Sequence, residues 1–438
     1  MIRVHSLGIS VLVGTCLVAL PAVTAATQAD WPQWGGPARN FVAESTGLAH
    51  AWPEDGPPRL WTRQLGDGFA SVVVDSGVLY TMYRKDKSED HEYAIALDAA
   101  TGKTIWEQKA PSPLPDDERQ FPGPHATPLV CGEYVFTVGR NAVLRCWDKH
   151  SGRLHWQHDL VAEFGAFVPV WGYASSPIAY GDTVIVLVGA QKYDSRERAD
   201  ESLAVAAAVP MEKRASLLAF SQSSGSVVWK QHNLRTKYTS PILIQRDGKD
   251  QLLITPLRGI MGIDPVGGDL LWEYPIPGEA HVMTPLMVDR DTLFCASTRT
   301  GRLFKFAPQG QVPTLEKLWE SKKLGVHVST PVLYEDVFVI SKGGEQGSLL
   351  VGADPETGKR IWTHRGLAEA KMIHAGDKTI MLDERGRLVM AEATIQGLTI
   401  LSQWQLPEWS GEIHCVPTLV DKTLYVRDRT QLIALDLG

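Results

Sequence analysis

The sequence predicts an all-β chain: an eight-bladed β-propeller of four-stranded antiparallel blades, closed by N- and C-terminal strands that share one blade. Three observations carry this expectation: a ladder of tryptophans, a turn motif that recurs ahead of them, and two unmatched half-blades at the ends of the chain. Trp61, Trp106, Trp156, Trp229, Trp272, Trp319, Trp362 and Trp404 are separated by 45, 50, 73, 43, 47, 43 and 42 residues. All intervals but the third fall in the range where one repeat is one four-stranded blade. The long interval requires an insertion, at about 191–216.

Each blade can be read in order from its parts. A Ser/Thr-Pro pair opens it: Thr127-Pro128, Ser176-Pro177, Ser240-Pro241, Thr284-Pro285 and Thr330-Pro331, with Val416-Pro417 as a variant. Proline is tolerated there because the innermost strand has an unpartnered edge. Two short strands rich in β-branched and aromatic residues follow, as at Tyr134 to Val138, Thr183 to Val188, Thr292 to Ala296, Val337 to Ser341 and Thr423 to Arg427. The third strand runs into a turn such as Asp98-Ala99-Ala100-Thr101-Gly102, Asp148 to Gly152, Asp264 to Gly268 or Asp354 to Gly358. There Asp can bond turn amides and Gly accepts positive φ. Tryptophan, four residues on, lies on the outermost strand, where its ring fills space between blades. Blades five and seven are degenerate, with Ala307 and Glu392 where Asp is expected. Val416 to Leu437 supplies three strands and no tryptophan, while Leu60-Trp61-Thr62 supplies an outer strand with no blade of its own. Joined, they complete an eighth blade, at about 47 residues per blade from residue 60 onward.

Residues 1–29 read as a secretory signal peptide. Arg3 is their only charged residue, Leu7 to Val23 is apolar, and small residues allow cleavage after Ala25, Ala26 or Ala29. The apolar run is short for a membrane span and is broken by Gly8, Gly14 and Pro21, so no span is expected after signal removal. The mature chain is expected in the periplasm or outside the cell, as a monomer. Residues 30–58, a Trp/Pro-rich extension with Trp31, Trp34 and Trp52, lack strand alternation and are expected to pack across the propeller as a plug. The propeller itself is expected over 59–438. A net charge of −7 without a basic run excludes the phosphate-neutralising surface of a nucleic-acid binder. Cys131, Cys146, Cys295 and Cys415 form no CxxC pair. Cys131 and Cys146 fall on strands separated by a third, beyond disulfide reach, so free buried thiols are expected.

The Leu-Asp, Gly and Trp spacing resembles the repeat of the quinoprotein alcohol dehydrogenase propellers, the PQQ-like repeat, from about Trp61 to the C-terminus. Trp31-Pro32-Gln33-Trp34-Gly35-Gly36-Pro37 and Trp171-Gly172-Tyr173-Ala174-Ser175-Ser176-Pro177 look like a bacterial, exported PQQ-binding-like propeller family. More distantly, the architecture is similar to the propeller lipoprotein of the outer-membrane barrel-assembly machinery. The dehydrogenase resemblance implies pyrroloquinoline quinone (PQQ) stacked on an adjacent-cysteine disulfide, with Ca2+ held by carboxylate and amide ligands. This chain has no Cys-Cys pair, and apart from isolated carboxylates such as Glu279 it offers no acidic cluster with the spacing of a calcium site. No cofactor is therefore assigned, and PQQ with Ca2+ belongs only to the alternative of a dehydrogenase oxidising an alcohol or sugar.

Propellers bind ligands at the mouth of the central channel. The residues expected around it are Phe69, His125, Trp171, Tyr173, Tyr238, His281, His327, His374 and His414. Such a polar and aromatic set suits stacking and hydrogen bonding to a small molecule, glycan or protein of the periplasm or outer membrane. His125, Tyr238 and His414 stand three residues before a proline, whereas Tyr173, His281 and His327 stand four before one. A one-residue shift turns a strand side chain to the other face, so the whole set is not expected to converge. No metal ligand set and no catalytic residue are assigned: the chain lacks a GxSxG elbow, an HExxH helix and a phosphate loop. The expectation is a non-catalytic binding or scaffold module. Two loops stand near the mouth in the chain order. The proline-rich stretch Ala110 to Arg119 leads to Phe121-Pro122-Gly123-Pro124-His125 and can roof the channel, and in the insertion Ala204 to Ala208 favours a helix.

Overall fold

A computed structural model describes residues 30–113, 121–169, 171–190, 201–276, 283–308, 315–326, 329–334, 336–342, 349–411 and 414–438. Residues 1–29, expected to be a signal peptide, and residues 191–200 of the insertion lie outside the described residues.

Eight antiparallel sheets of four strands form the ring. Blade 1 is Val73–Asp75, Val78–Tyr83, His91–Asp98 and Thr104–Pro111, from channel to rim. Blades 2 to 7 follow over residues 129–159, 178–231, 242–275, 286–321, 332–365 and 371–405. Blade 8 takes Thr418–Val420, Thr423–Arg427 and Gln431–Asp436 from the C-terminus and Arg59–Gln64 from the N-terminus, with Trp61 opposite Ala434. Closure is thus made by backbone pairing of the two chain ends, which removes the edges an open array would expose. Each proline of the Ser/Thr-Pro pairs directly precedes an innermost strand, as Pro128 precedes Leu129–Cys131.

The Asp-Gly-Trp motif joins each blade to the next. Asp98 Oδ1 accepts from Thr101 N and Oγ1 at 2.8 and 2.6 Å, and Gly102 closes the turn at φ +68°. A Cβ on Gly102 would stand 2.8 Å from the ring of Trp61, which belongs to the preceding blade. That indole donates its N–H to Ala99 O at 3.0 Å. Trp106 repeats the contact on Gly152 and Lys149 O (2.8 Å), Trp156 on Gly225 and Gln222 O (2.9 Å), and Trp319 on Gly358 and Pro355 O (2.9 Å). Glycine is therefore required twice over: by its left-handed φ and by the ring lying where a Cβ would be. Trp272 differs, because blade 5 carries Ala307 in place of Asp. Its N–H turns to Gln251 Oε1 at 2.8 Å, and its ring meets Phe306 edge-on at 5.3 Å.

The split blade rebuilds the motif from both termini. Asp436 N donates to Pro58 O at 2.8 Å, Asp436 Oδ1 accepts from Gly438 N at 2.9 Å, and Gly56, at φ +91°, lies under the ring of Trp404. Nearer the channel, hydroxyls form a second belt. Val416 N donates to Ser71 Oγ, Ser71 N to Thr127 Oγ1, Thr127 N to Ser176 Oγ, Ser176 N to Ser240 Oγ and Ser240 N to Thr284 Oγ1, all at 2.9–3.1 Å. This explains the Ser/Thr of the opening pair: its hydroxyl satisfies an otherwise unpaired buried amide of the preceding blade.

The segment after residue 30 crosses one end of the channel. Trp31 exchanges backbone hydrogen bonds with Val74 of blade 1, Val130 N of blade 2 donates to Pro32 O, and Val42–Ala43 adds a parallel fifth strand to Lys371–Ala375 of blade 7. Between them the buried Arg39 donates to Pro241 O at 2.8 Å and to Pro177 O, with Nε on Gln33 Oε1 at 2.9 Å. Burial lowers its pKa to about 9. In the insertion the helix Glu201–Ala208 packs near the short helix Leu160–Phe164, and Arg214 binds its last carbonyls, Ala207 O at 2.8 Å and Val209 O at 2.9 Å. Cys131, Cys146, Cys295 and Cys415 are free, the last three buried.

Deleting residues 416–438 is expected to abolish cooperative thermal unfolding; a truncated chain of unchanged stability would refute closure by the shared blade. Trp272→Ala, at a buried site, should lower unfolding free energy by about 3–5 kcal/mol. A denaturant titration showing less than about 0.5 kcal/mol would place its ring outside the interblade core.

Candidate functional site

The innermost strands all start at the same end of the ring, and the loops that reach them build the channel mouth. Three arginines, at or just beyond the end of a blade's second strand, tie these loops down. Arg427 of blade 8 donates to Ala70 O at 3.0 Å, Met82 O at 2.7 Å and Thr81 Oγ1 at 2.9 Å in blade 1. Arg84 of blade 1 donates to Pro122 O and Ser112 O at 2.8 and 2.7 Å. Arg140 of blade 2 donates from Nε to Phe121 O at 3.0 Å, and its carbonyl accepts from Tyr173 N at 2.9 Å. All three are buried, as is Glu92, which faces Arg84 at 3.6 Å and accepts from Arg140 N at 3.2 Å. Burial raises the Glu92 pKa, an effect that the neighbouring Arg84 opposes. Buried charges of this kind persist because each is hydrogen bonded.

The loop held by Arg84 and Arg140 carries Phe121 and His125, and around them an aromatic cluster assembles. Phe69 stacks on His125 at 4.8 Å between ring centroids, with the planes 21° apart. His414 lies 5.0 Å from Phe69 on a tilt, and Phe121 meets Phe69 edge-on at 5.7 Å. Trp171 caps the group, edge-on to Phe121 at 5.2 Å, and its backbone N–H donates to the Tyr238 hydroxyl at 3.4 Å. Phe69 is pinned by its own N–H and that of Ala70, both on Pro124 O. The Arg429 guanidinium stands 5.8 Å from the Phe69 ring and donates to Asp67 Oδ1 at 2.7 Å. Phe69 is buried, His125, His414, Phe121 and Tyr238 are half-buried, and Trp171 is 47% exposed. The cluster therefore offers one aromatic surface to solvent.

Of the residues expected at the mouth, the structure brings together Phe69, His125, Trp171 and His414, with Tyr238 joined through Trp171. His125, Tyr238 and His414 share one register, three residues before proline. Tyr173, one residue further from its proline, turns into the core between blades 2 and 3, where it is buried and its hydroxyl donates to Leu187 O at 3.1 Å. Burial raises its pKa. His374 stands at the opposite end of the channel, near the end of Lys371–Ala375, where its N–H donates to Phe41 O and its ring meets Tyr334 at 4.6 Å. His281 and His327 lie outside the described residues. Sequence reasoning did not single out Phe121 as a site residue or the three arginines; Arg84 and Arg140 were readable as a repeat, each six residues beyond the first residue of its blade's second strand. Lys371 was also passed over: it is buried, its side chain donates to Glu369 O at 3.2 Å, and burial lowers its pKa to about 8.

The described residues do not fit a quinone with its calcium ion. The aromatic faces at the mouth are turned on one another, and the nearby carboxylates already serve protein donors. Asp67 accepts from Arg429, Glu92 from Arg140 N, and Asp428 from Ser410 N, Thr430 N and Gln431 N at 2.7–3.0 Å. Among the described residues no three His, Cys, Asp or Glu side chains converge on a point where a metal ion could sit.

Ring, closure and mouth define a PQQ-like β-propeller. The sequence profile of the family described as outer membrane protein assembly factor BamB matches residues 90–364, and the chain belongs to that family. Its structure is similar to that of BamB from Moraxella catarrhalis, at 15% identity over 86% of this chain and 97% of that one, TM-score 0.59. It is also similar to quinohemoprotein alcohol dehydrogenase from Comamonas testosteroni, at 12% identity over 95% and 82% of the two chains, TM-score 0.67. The computationally designed Ika8 protein matches at 9% identity over 89% and 100%, TM-score 0.54. These likenesses are of fold alone. No curated protein matches the chain at a significant level. Among the described residues no helix is long and apolar enough to cross a membrane.

Burial, with Arg140 and His414 nearby, lowers the His125 pKa well below 6.5. The unfolded chain then binds the proton more tightly than the folded one, so this stabilisation is present above pH 6.5 and is lost as pH falls through the lowered value. His125→Phe is expected to retain the thermal midpoint at pH 8 and to soften its decline below pH 6.5. An unchanged pH profile would mean that another group sets the acid sensitivity.

Proposed function

We propose that this chain is an exported, non-catalytic propeller that acts as a binding or scaffold module, engaging a ligand or partner protein at the channel mouth. The observation that carries this reading is Trp171: a large aromatic side chain, 47% exposed, backed by Phe121 and held at its own amide by Tyr238. Exposed aromatics on a rigid frame are common anchors of recognition, since burying them on binding costs little conformational entropy. Residues 1–29, read as a secretory signal, support action in the periplasm or beyond it. The likeness to BamB, an outer membrane protein assembly factor by its description, supports a protein partner in that compartment.

A second reading, a PQQ-dependent dehydrogenase oxidising an alcohol or sugar, draws on the likeness to quinohemoprotein alcohol dehydrogenase. Against it stand the missing adjacent cysteines and the carboxylates already engaged at the mouth. Titrating the mature protein with PQQ, with and without Ca2+, separates the two. Absorbance and thermal midpoint are expected to show no saturable binding, and dye-linked alcohol oxidation none above background. Saturable binding with a raised midpoint and turnover would overturn the non-catalytic reading. A photoreactive residue at position 171 is expected to trap a discrete adduct in cells that is absent when the residue is placed at position 247, in a turn at the far end of the channel. If no adduct forms at 171, the mouth is not the binding surface.

A further inference from the structure

Blades 3 and 4 border a cleft of about 480 Å3, within the range of small-molecule sites. The half-buried Leu234, Leu257 and Tyr274 and two arginines, Arg235 and Arg258, line it. The backbone fixes both: Leu257 N donates to Arg235 O and Ile276 N to Arg258 O, each at 2.8 Å, while Ala190 N holds Leu234 O at 3.0 Å. Yet neither guanidinium makes a hydrogen bond or ion pair among the described residues, and Arg235 Nε is buried without a partner. This contrasts with Arg39, Arg84, Arg140 and Arg427, whose donors are used to bind backbone carbonyls. A buried donor left unpaired, as Arg235 Nε is, is costly; the exposed Arg258 borders the same cleft, and a guanidinium is suited to bidentate binding of an oxyanion. In a chain of net charge −7 this is a local concentration of positive charge that the fold itself does not use.

We propose that this cleft is a binding site for a small organic anion, whose carboxylate or phosphate head is bound by Arg235 and Arg258 and whose apolar body rests on Leu234 and Tyr274. Glu273 on the exposed rim disfavours a polyanion, so a single anionic head is the better match. The cleft shares no lining residue with the aromatic cluster at the mouth, and the proposal does not rest on the function proposed for that cluster.

The test uses probes that share one apolar body: benzoate, phenyl phosphate and neutral benzyl alcohol, titrated into the mature full-length protein by calorimetry and thermal shift. At least one anion is expected to bind saturably with Kd below about 1 mM and to raise the thermal midpoint, while benzyl alcohol does neither. Tighter binding of phenyl phosphate assigns the head group as phosphate, and tighter binding of benzoate assigns it as carboxylate. Arg258→Ala, at an exposed position, and Arg235→Gln should each weaken binding about tenfold or more, whereas Trp171→Ala at the mouth should leave it unchanged. No saturation by either anion up to about 10 mM, or equal affinity in the Arg258→Ala protein, would overturn the proposal.

Discussion

The contact of a ladder tryptophan with the next blade's turn glycine, made by six of the eight, is the constraint on which the ring depends. One residue type fills the wedge between radial sheets, and another vacates the space for it. The indole N–H then reaches the carbonyl of the residue after the turn aspartate, so packing and hydrogen bonding select the same rotation of one blade on the next. Repeated around the ring, this relation sets where the last blade must fall. The two chain ends meet there and reassemble the same turn from Gly56, Pro58 and Asp436.

Interblade fixation at the rim and the hydroxyl belt near the channel leave the connecting loops as the part of the molecule free to diverge. The buried arginines turn that freedom into a defined surface by holding loop carbonyls, and Phe69, Phe121, His125, Trp171 and His414 meet only because four separate loops are held at once. At the other end, residues 31–43 bond to the innermost strands of blades 1, 2 and 7 and insert Arg39 toward those of blades 3 and 4. The channel is therefore crossed by the chain's own segment at one end and offers its exposed aromatic surface at the other.

Much of the fold was legible because its determinants are local. Strands Tyr134–Val138, Thr292–Ala296 and Thr423–Arg427 stand where alternation and β-branched content placed them, and the free cysteines follow from strand order. The site was legible only in part. The offset from proline separated His125 and His414 from Tyr173, since side chains alternate along a strand. It said nothing of Phe121, which lies on a loop, or of His374, which follows its strand to the far end. The split turn escaped notice because Gly56 and Asp436 are far apart in the chain.

The sequence by itself determined the blade, the number of blades and their closure, because the spacing of Asp, Gly and Trp encodes contacts within a repeat and to its neighbour. The tertiary structure alone decided which mouth residues meet, which arginines are bound by backbone, and that the Arg235 and Arg258 side chains are left without partners among the described residues beside one cleft. Those outcomes depend on loops of unequal length brought together across the ring, and no periodicity in the chain records the distances between them.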